Sequence, residues 1–338
     1  MKNILLRCNA SRSIGFGHLV RCLALASEFQ KKDCKIAFAV NKNDFAINLI
    51  QKENYTVYKK YTKNHKQWLS NVIKNFKADI LVLDVRDDLD NVTLSEIKQK
   101  FNIKIVTIDD PTNKRLVCDF AFYPPIFQVK QLNWDGFGGK LYSGFEWVIL
   151  RNQFLEYKDK PKKPNKKLKI FVGAGGSDPK CITPIIAKAL NDLTVEFEAV
   201  IVIGALFSCK EKLKFVLKQT HYEYKLFENV DNMAEIMHSC DFAVCSFGTS
   251  AYELAALGVP AVYVCLSKDH SLSASMFEEK GFAINLGEYD KLNQSEITKA
   301  ALTLAEMADL RYRMSKSAKA SIDGFGALRI VGEVLGER

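Results

Sequence analysis

The chain has 338 residues, 48% hydrophobic and 26% charged, with a formal net charge of +9. That length calls for two hydrophobic cores, the composition is that of an ordinary globular protein, and no apolar run approaches the ~18 residues of a membrane span. Much of the basic excess sits in clusters (Lys59-Lys60, Lys63 and Lys66, and the run from Lys158 to Lys169); without interleaved aromatics these give no stacking platform for nucleic acid, so an anionic small substrate is the expected partner.

Met1-Lys2-Asn3 runs into Ile4-Leu5-Leu6-Arg7, an apolar stretch too short for a signal peptide that reads as a first strand. Ile14-Gly15-Phe16-Gly17-His18-Leu19-Val20-Arg21-Cys22 then turns into a helix whose apolar positions are Leu19, Leu23, Ala26 and Phe29. A glycine turn from strand to helix brings backbone N–H groups and the positive end of a helix dipole to one point, which suits phosphate. His18 adds a side chain suited to proton transfer near neutrality. It also reads as a residue near a helix cap, satisfied by backbone; the glycines Gly15 and Gly17 favour the functional role. The turn is not a dinucleotide fingerprint, because Val20 stands where the third glycine would fall and the next strand lacks a terminal acid.

Further strands are expected at Cys34–Val40, Thr56–Tyr58, Ala78–Asp84 and Ile103–Asp109, with helices at Asp44–Glu53, His65–Phe76 and Val92–Phe101. Apolar runs without polar alternation imply strands covered on both faces, as in a parallel sheet flanked by helices. Asp88-Leu-Asp90 has the spacing of a divalent-metal pair, but so short a match in a charged segment assigns no metal, and no cofactor is expected. Asp109-Asp110-Pro111 reads as a turn. Tyr123-Pro-Pro-Ile-Phe127 and Trp134–Phe137 are either an acceptor face or core and loop packing.

The Lys- and Pro-rich stretch 158–167 reads as a solvated linker between an N-terminal domain, 1–157, and a C-terminal domain, 168–338, whose last helix packs back on the first. Beyond it the alternation restarts, with strands at Leu168–Val172, Phe197–Ile203, Glu223–Phe227, Phe242–Ser246 and Ala261–Cys265. The expected fold is α/β, with two doubly wound Rossmann-like domains facing a central cleft. Gly173-Ala-Gly175-Gly176-Ser177-Asp178-Pro179 is a second strand-to-helix turn; either Ser177 or Asp178 caps the helix, with Pro179 at its first position. The third turn is Phe247-Gly248-Thr249-Ser250, with Glu253 in the helix's first turn and Gly258-Val-Pro260 beyond. Glu253 is placed to accept ribose hydroxyls, although a first-turn acid is also plain helix chemistry. None of the nine cysteines forms a Cys-x-x-Cys pair and their spacing gives no zinc signature; with no export signal read at the N-terminus, all are expected to be reduced, and the protein cytoplasmic.

Together these residues resemble the UDP-sugar hydrolases of pseudaminic acid biosynthesis and the related spore-coat polysaccharide proteins. The shared pattern is Arg7, the Gly-His loop through Arg21-Cys22, Asp109-Asp110, Leu150-Arg151-x-x-Phe154, Gly175-Gly176-Ser177-Asp178, Ser250-x-x-Glu253 through Pro260, and Asp323-Gly324-x-Gly326-Ala327. The resemblance covers nearly the whole chain and implies a GT-B-like architecture and metal-independent hydrolysis. A UDP-diacetamido-trideoxy-altrose would lose UDP to give the free sugar for a nonulosonic acid synthase, in surface glycans and flagellin glycosylation. It further implies that His18 activates water and that UDP lies on the C-terminal domain with Glu253 at its ribose. Three positions depart from the family pattern: Asn9 stands for an Asp, Arg86 for a Tyr, and Asp269, followed by His270, for an Asn. The implied ligand is a UDP-linked amino sugar of altered identity, handled by a monomer. A GT-B glycosyltransferase and a non-catalytic nucleotide-sugar binding protein are the competing expectations.

Overall fold

The computed structural model describes residues 1–9, 17–85, 87 and 89–337. Two compact units result, one of Met1–Arg151 with Phe325–Arg338, the other of Asn152–Gly324.

The first unit alternates β1 (Asn3–Cys8), α1 (Gly17–Gln30), β2 (Lys35–Asn41), α2 (Asp44–Lys52), β3 (Thr56–Lys60), α3 (His65–Phe76), β4 (Ile80–Asp84), α4 (Asn91–Phe101) and β5 (Lys104–Ile108). It adds β6 (Phe120–Tyr123) and β7 (Lys140–Ser143), two short strands hidden in a stretch whose turn residues dominate the sequence pattern. The strands form one parallel sheet in the order β3-β2-β1-β4-β5-β6-β7. The unbroken apolar runs are explained by alternation between two covered faces. Ile4, Leu6, Phe38, Val82 and Val106 pack with Leu25, Ala26 and Phe29 of α1. Leu5, Ala37, Leu81, Leu83 and Ile105 pack with Leu69, Val72 and Ile73 of α3 and Leu94 and Ile97 of α4. Asn43, Asn64 and Asp90 cap α2, α3 and α4 by accepting from the N–H groups of Ala46, Gln67 and Thr93.

The second unit opens with α5 (Asn152–Tyr157), then runs β8 (Leu168–Gly173), α6 (Ile182–Leu190), β9 (Phe197–Ile203), α7 (Lys210–Leu217), β10 (Glu223–Glu228) and α8 (Met233–Ser239). It continues with β11 (Phe242–Cys245), α9 (Thr249–Ala256), β12 (Ala261–Cys265), α10 (Lys268–Glu279), β13 (Ala283–Glu288), α11 (Gln294–Glu306) and α12 (Ala308–Ser321). Its parallel sheet has the order β10-β9-β8-β11-β12-β13. The final helix, α13 (Gly326–Leu335), belongs to the first unit, burying Ile330, Val331 and Val334 in the core that α1 covers.

Segment 158–167 is not a free tether. Lys162 donates to the Cys240 carbonyl, and the Asn165 amide donates to the Ser239 carbonyl and the Asp241 carboxylate, both at 2.9 Å, so the stretch is tied to the loop between α8 and β11. The cysteine expectation is corrected at one pair: Cys181 and Cys209 form a disulfide, brought together by the starts of α6 and α7, while the other seven are buried free thiols. Among the described residues no helix is long and apolar enough to cross a membrane.

Candidate functional site

In each sheet the first strand lies beside the fourth, and the connections leave in opposite directions from that pair. Such a switch point opens a crevice at the strand C-termini, where α/β sheets take their ligands. In the first sheet it lies between β1 and β4, with Cys8 level with Asp84. The helix after β1 therefore carries His18 and Arg21 to the end of β4.

There His18 Nδ1 stands 2.5 Å from Asp84 Oδ1. Arg21 donates from Nε to Asp84 Oδ2 at 3.0 Å, from Nη2 to Oδ1 at 2.7 Å, and from Nη1 to Asp109 Oδ2 at 3.1 Å. Asp84 is wholly buried, whereas His18 and Arg21 keep 16% and 18% of their side-chain surface. Burial opposes charge on Asp84, but Arg21 and the His18 hydrogen bond outweigh it and hold the carboxyl below its ordinary range. Burial likewise opposes charge on Arg21, and Asp84 and Asp109 reverse the balance. A carboxylate oxygen so close to Nδ1 requires the proton on that nitrogen, so Nε2 is the basic one. The 3.1 Å approach of Arg21 Nη2 to Nδ1 is then a contact between two donors that share Asp84 Oδ1.

A second buried cluster lies at the same end of the sheet. Arg7, fully buried, donates to Asn9 Oδ1 at 2.7 Å, Asn41 Oδ1 at 3.0 Å and Asp87 Oδ2 at 3.1 Å. Asp87 also meets buried Lys114 at 3.2 Å and His65 at 3.4 Å, and Lys114 reaches Asp110 at 3.4 Å. Asn9 therefore serves as an acceptor for Arg7. Asp110 makes the expected turn by accepting from Thr112 N–H, while Asp109 adds its partnership with Arg21. Tyr123 and Trp134 pack edge to face, with Tyr123 buried and Arg115 over the Trp134 ring, so these segments are core and loop packing.

In the second unit the switch point lies between β8 and β11, where Ser246 N–H donates to the Gly173 carbonyl at 3.1 Å. The loops after those strands, Gly175-Gly176-Ser177 and Phe247-Gly248, are thereby neighbours. A side chain on Gly175, Gly176 or Gly248 would meet open space, which leaves their backbone accessible to a ligand. Thr249 and Ser250 are the first residues of α9. Glu253 is 4% exposed and lies one turn deeper in α9 than expected. Phe247 packs edge to face on Tyr263 and Phe277, so its ring is core. His270 faces Phe247 at 6.2 Å, and burial lowers the pKa of its imidazole. Asp269 is exposed in the first turn of α10.

Asp178 is the helix cap of the second turn, accepting from Ile182 N–H and Thr183 N–H at 2.8 Å each. Helix α6 therefore starts at Ile182, beyond Pro179, because Asp178 reaches past an intervening turn. Gly17 opens α1, while Gly15, Arg86 and Asp88 lie outside the described residues. Sequence reasoning missed Asp84 as the partner of His18. Its signal was an acid ending an apolar strand, whose pairing with β1 only the sheet order supplies.

Residues 169–325 match the Glycosyltransferase family 28 C-terminal domain. The chain is 25% identical over 323 residues to the Bacillus subtilis spore coat polysaccharide biosynthesis protein SpsG, covering 94% of this chain and 93% of that one. It is 26% identical over 287 residues to the Campylobacter jejuni UDP-2,4-diacetamido-2,4,6-trideoxy-beta-L-altropyranose hydrolase, covering 83% and 98%. Acinetobacter baumannii MurG superposes with a TM-score of 0.72 at 15% identity, covering 99% of this chain and all of that one. The fold is GT-B-like, and the homologues include both kinds of protein that the motifs resemble.

Proposed function

We propose that this chain hydrolyses a UDP-linked amino sugar, releasing UDP and a free (di)acetamido-deoxy sugar for nonulosonic acid or surface glycan synthesis. The observation that carries the reading is His18, held through Nδ1 by buried Asp84 directly after the glycine turn. Its Nε2 takes a proton from water as the water oxygen bonds to the anomeric carbon. The bond from that carbon to the diphosphate oxygen breaks, and UDP leaves with the electron pair. Backbone at Gly175, Gly176 and Gly248, with the hydroxyls of Ser177, Thr249 and Ser250, receives the diphosphate, and Glu253 receives the ribose. Arg86, Asp269 and His270 select the sugar. The Campylobacter relative's name supports hydrolysis. The reaction calls for no cofactor, and the protein acts as a cytoplasmic monomer.

A glycosyltransferase, with a sugar or lipid hydroxyl in place of water, is the second reading, favoured by the family 28 match over 169–325. Incubation with a panel of UDP-sugars and no acceptor tests the choice. Free sugar and UDP are expected, and His18→Ala should abolish turnover while leaving UDP affinity within about tenfold, since a base acts in the transition state. Turnover only after acceptor is added would establish the transferase, and binding without turnover a non-catalytic protein. Near-normal turnover by His18→Ala would remove that residue from the mechanism.

A further inference from the structure

We infer that Cys181 and Cys209 form a thiol–disulfide switch that sets the rigidity of the Gly175–Asp178 loop and, on the nucleotide-binding reading above, the affinity of the second unit for a nucleoside diphosphate. The two cysteines immediately precede α6 and α7, the helices that follow the adjacent strands β8 and β9. Their Cα atoms are 5.8 Å apart, within the span a disulfide bridges. The bond thus ties the base of the glycine loop to the neighbouring β9–α7 loop.

The rest of the loop depends on the same neighbour. Leu206 N–H donates to the Gly176 carbonyl at 3.3 Å, and Gly204 lies so close to Gly176 that any side chain there would strike its backbone. Asp178 and Cys181 hold φ values of 40° and 54°, a left-handed region that residues other than glycine rarely occupy. Such a segment persists only where its surroundings over-determine it. The Cys181–Cys209 bond supplies one of those constraints, and breaking it leaves the loop freer to relax.

Accessibility singles out the same pair. Cys181 and Cys209 are half-buried, whereas the other seven cysteines are buried. Burial pushes the Cys240 and Cys265 thiols up to about 12, and Cys22 and Cys118 further, which keeps them from the thiolate that exchange requires. The exchange partner is a low-molecular-weight disulfide. Two protein thiols give up two protons and two electrons, one protein S–S bond forms, and the partner's S–S bond breaks to release two thiols. A dithiol reductant reverses the step.

The test is calorimetric UDP affinity of the full chain after oxidised glutathione or dithiothreitol, with the redox state read by mass spectrometry and hydrogen exchange followed over residues 174–181. Pre-organisation of a ligand loop should make the oxidised protein bind UDP roughly three- to tenfold more tightly than the reduced one. Cys181→Ser and Cys209→Ser should each match the reduced wild type and ignore glutathione disulfide. Equal affinities in two verified redox states, or no bond formed by oxidised glutathione, would overturn the inference. Where neither state binds UDP, the nucleotide reading fails and exchange decides: slower exchange over 174–181 in the oxidised form supports the switch, and equal exchange rejects it.

Discussion

A carboxylate with no access to water stays charged only where its neighbours outweigh lost hydration, and Asp84 meets that condition through Arg21 and His18. Arg21, part of the Gly-His motif, directs its guanidinium to Asp84 and Asp109, which on the proposed mechanism makes it a positioning residue. Asp84→Asn preserves shape but removes the charge that fixes the imidazole tautomer, so kcat should fall roughly 10²–10⁴-fold with UDP affinity little changed. A fall in UDP affinity of the same size would place Asp84 in binding instead. The stability effect has a definite sign with pH. Because the native carboxyl titrates below its unfolded value of about 4, its contribution is complete above that pH and is lost as pH falls through the native pKa. Denaturation of wild type and Asp84→Asn should therefore show a deficit for the variant at pH 7 that shrinks below pH 4; a deficit that grows toward acid would contradict the assignment. His18 and Arg21 were legible as a local motif. Asp84, 66 residues from His18, was not, because the pair meets only through β1–β4 pairing.

At the scale of elements, the strands with two covered faces were readable because burial on both sides leaves no polar alternation. Short β6 and β7 and the C-terminal β13 were not, since four to six residues among turn formers carry little periodic signal. Glycines divide in the same way between local and tertiary meaning. Gly326 begins α13 hard against the Val148 carbonyl, where a side chain has no room, whereas Gly332, in the same helix, would place a Cβ 3.7 Å from the Glu337 carbonyl, an ordinary contact. The same substitution should then act with opposite signs. Gly332→Ala should raise stability by about 0.5–1 kcal/mol through helix propensity. Gly326→Ala should lower it by roughly 1–3 kcal/mol by forcing the helix away from its seat. Urea melts of both variants decide the matter, and a stabilised Gly326→Ala would mean that α13 shifts without cost.

At the scale of the whole molecule, the doubly wound class was legible in the repeated strand, glycine turn and helix, but chain order hides how the units are composed. Residues 325–338 are separated from their unit by the entire second one. Helix α13 is bound to the first unit by Tyr142 hydroxyl to Glu333 at 2.6 Å and Lys104 to the Val334 carbonyl at 3.0 Å, besides its buried apolar face. Ile330, Val331 and Val334 are each at most 1% exposed. At about 1.5–3 kcal/mol for each buried aliphatic side chain, their loss removes much of the roughly 5–15 kcal/mol that separates a folded domain from its unfolded chain. The second unit, by contrast, is continuous from Asn152 to Gly324. Expressed alone, Asn152–Gly324 should unfold in one cooperative transition, whereas Met1–Arg151 should lack one until Phe325–Arg338 is fused to it through a flexible linker. Thermal melts followed by circular dichroism test this: cooperative unfolding of Met1–Arg151 by itself would show that the strand core needs only α1, and that α13 is an attachment to a unit already complete.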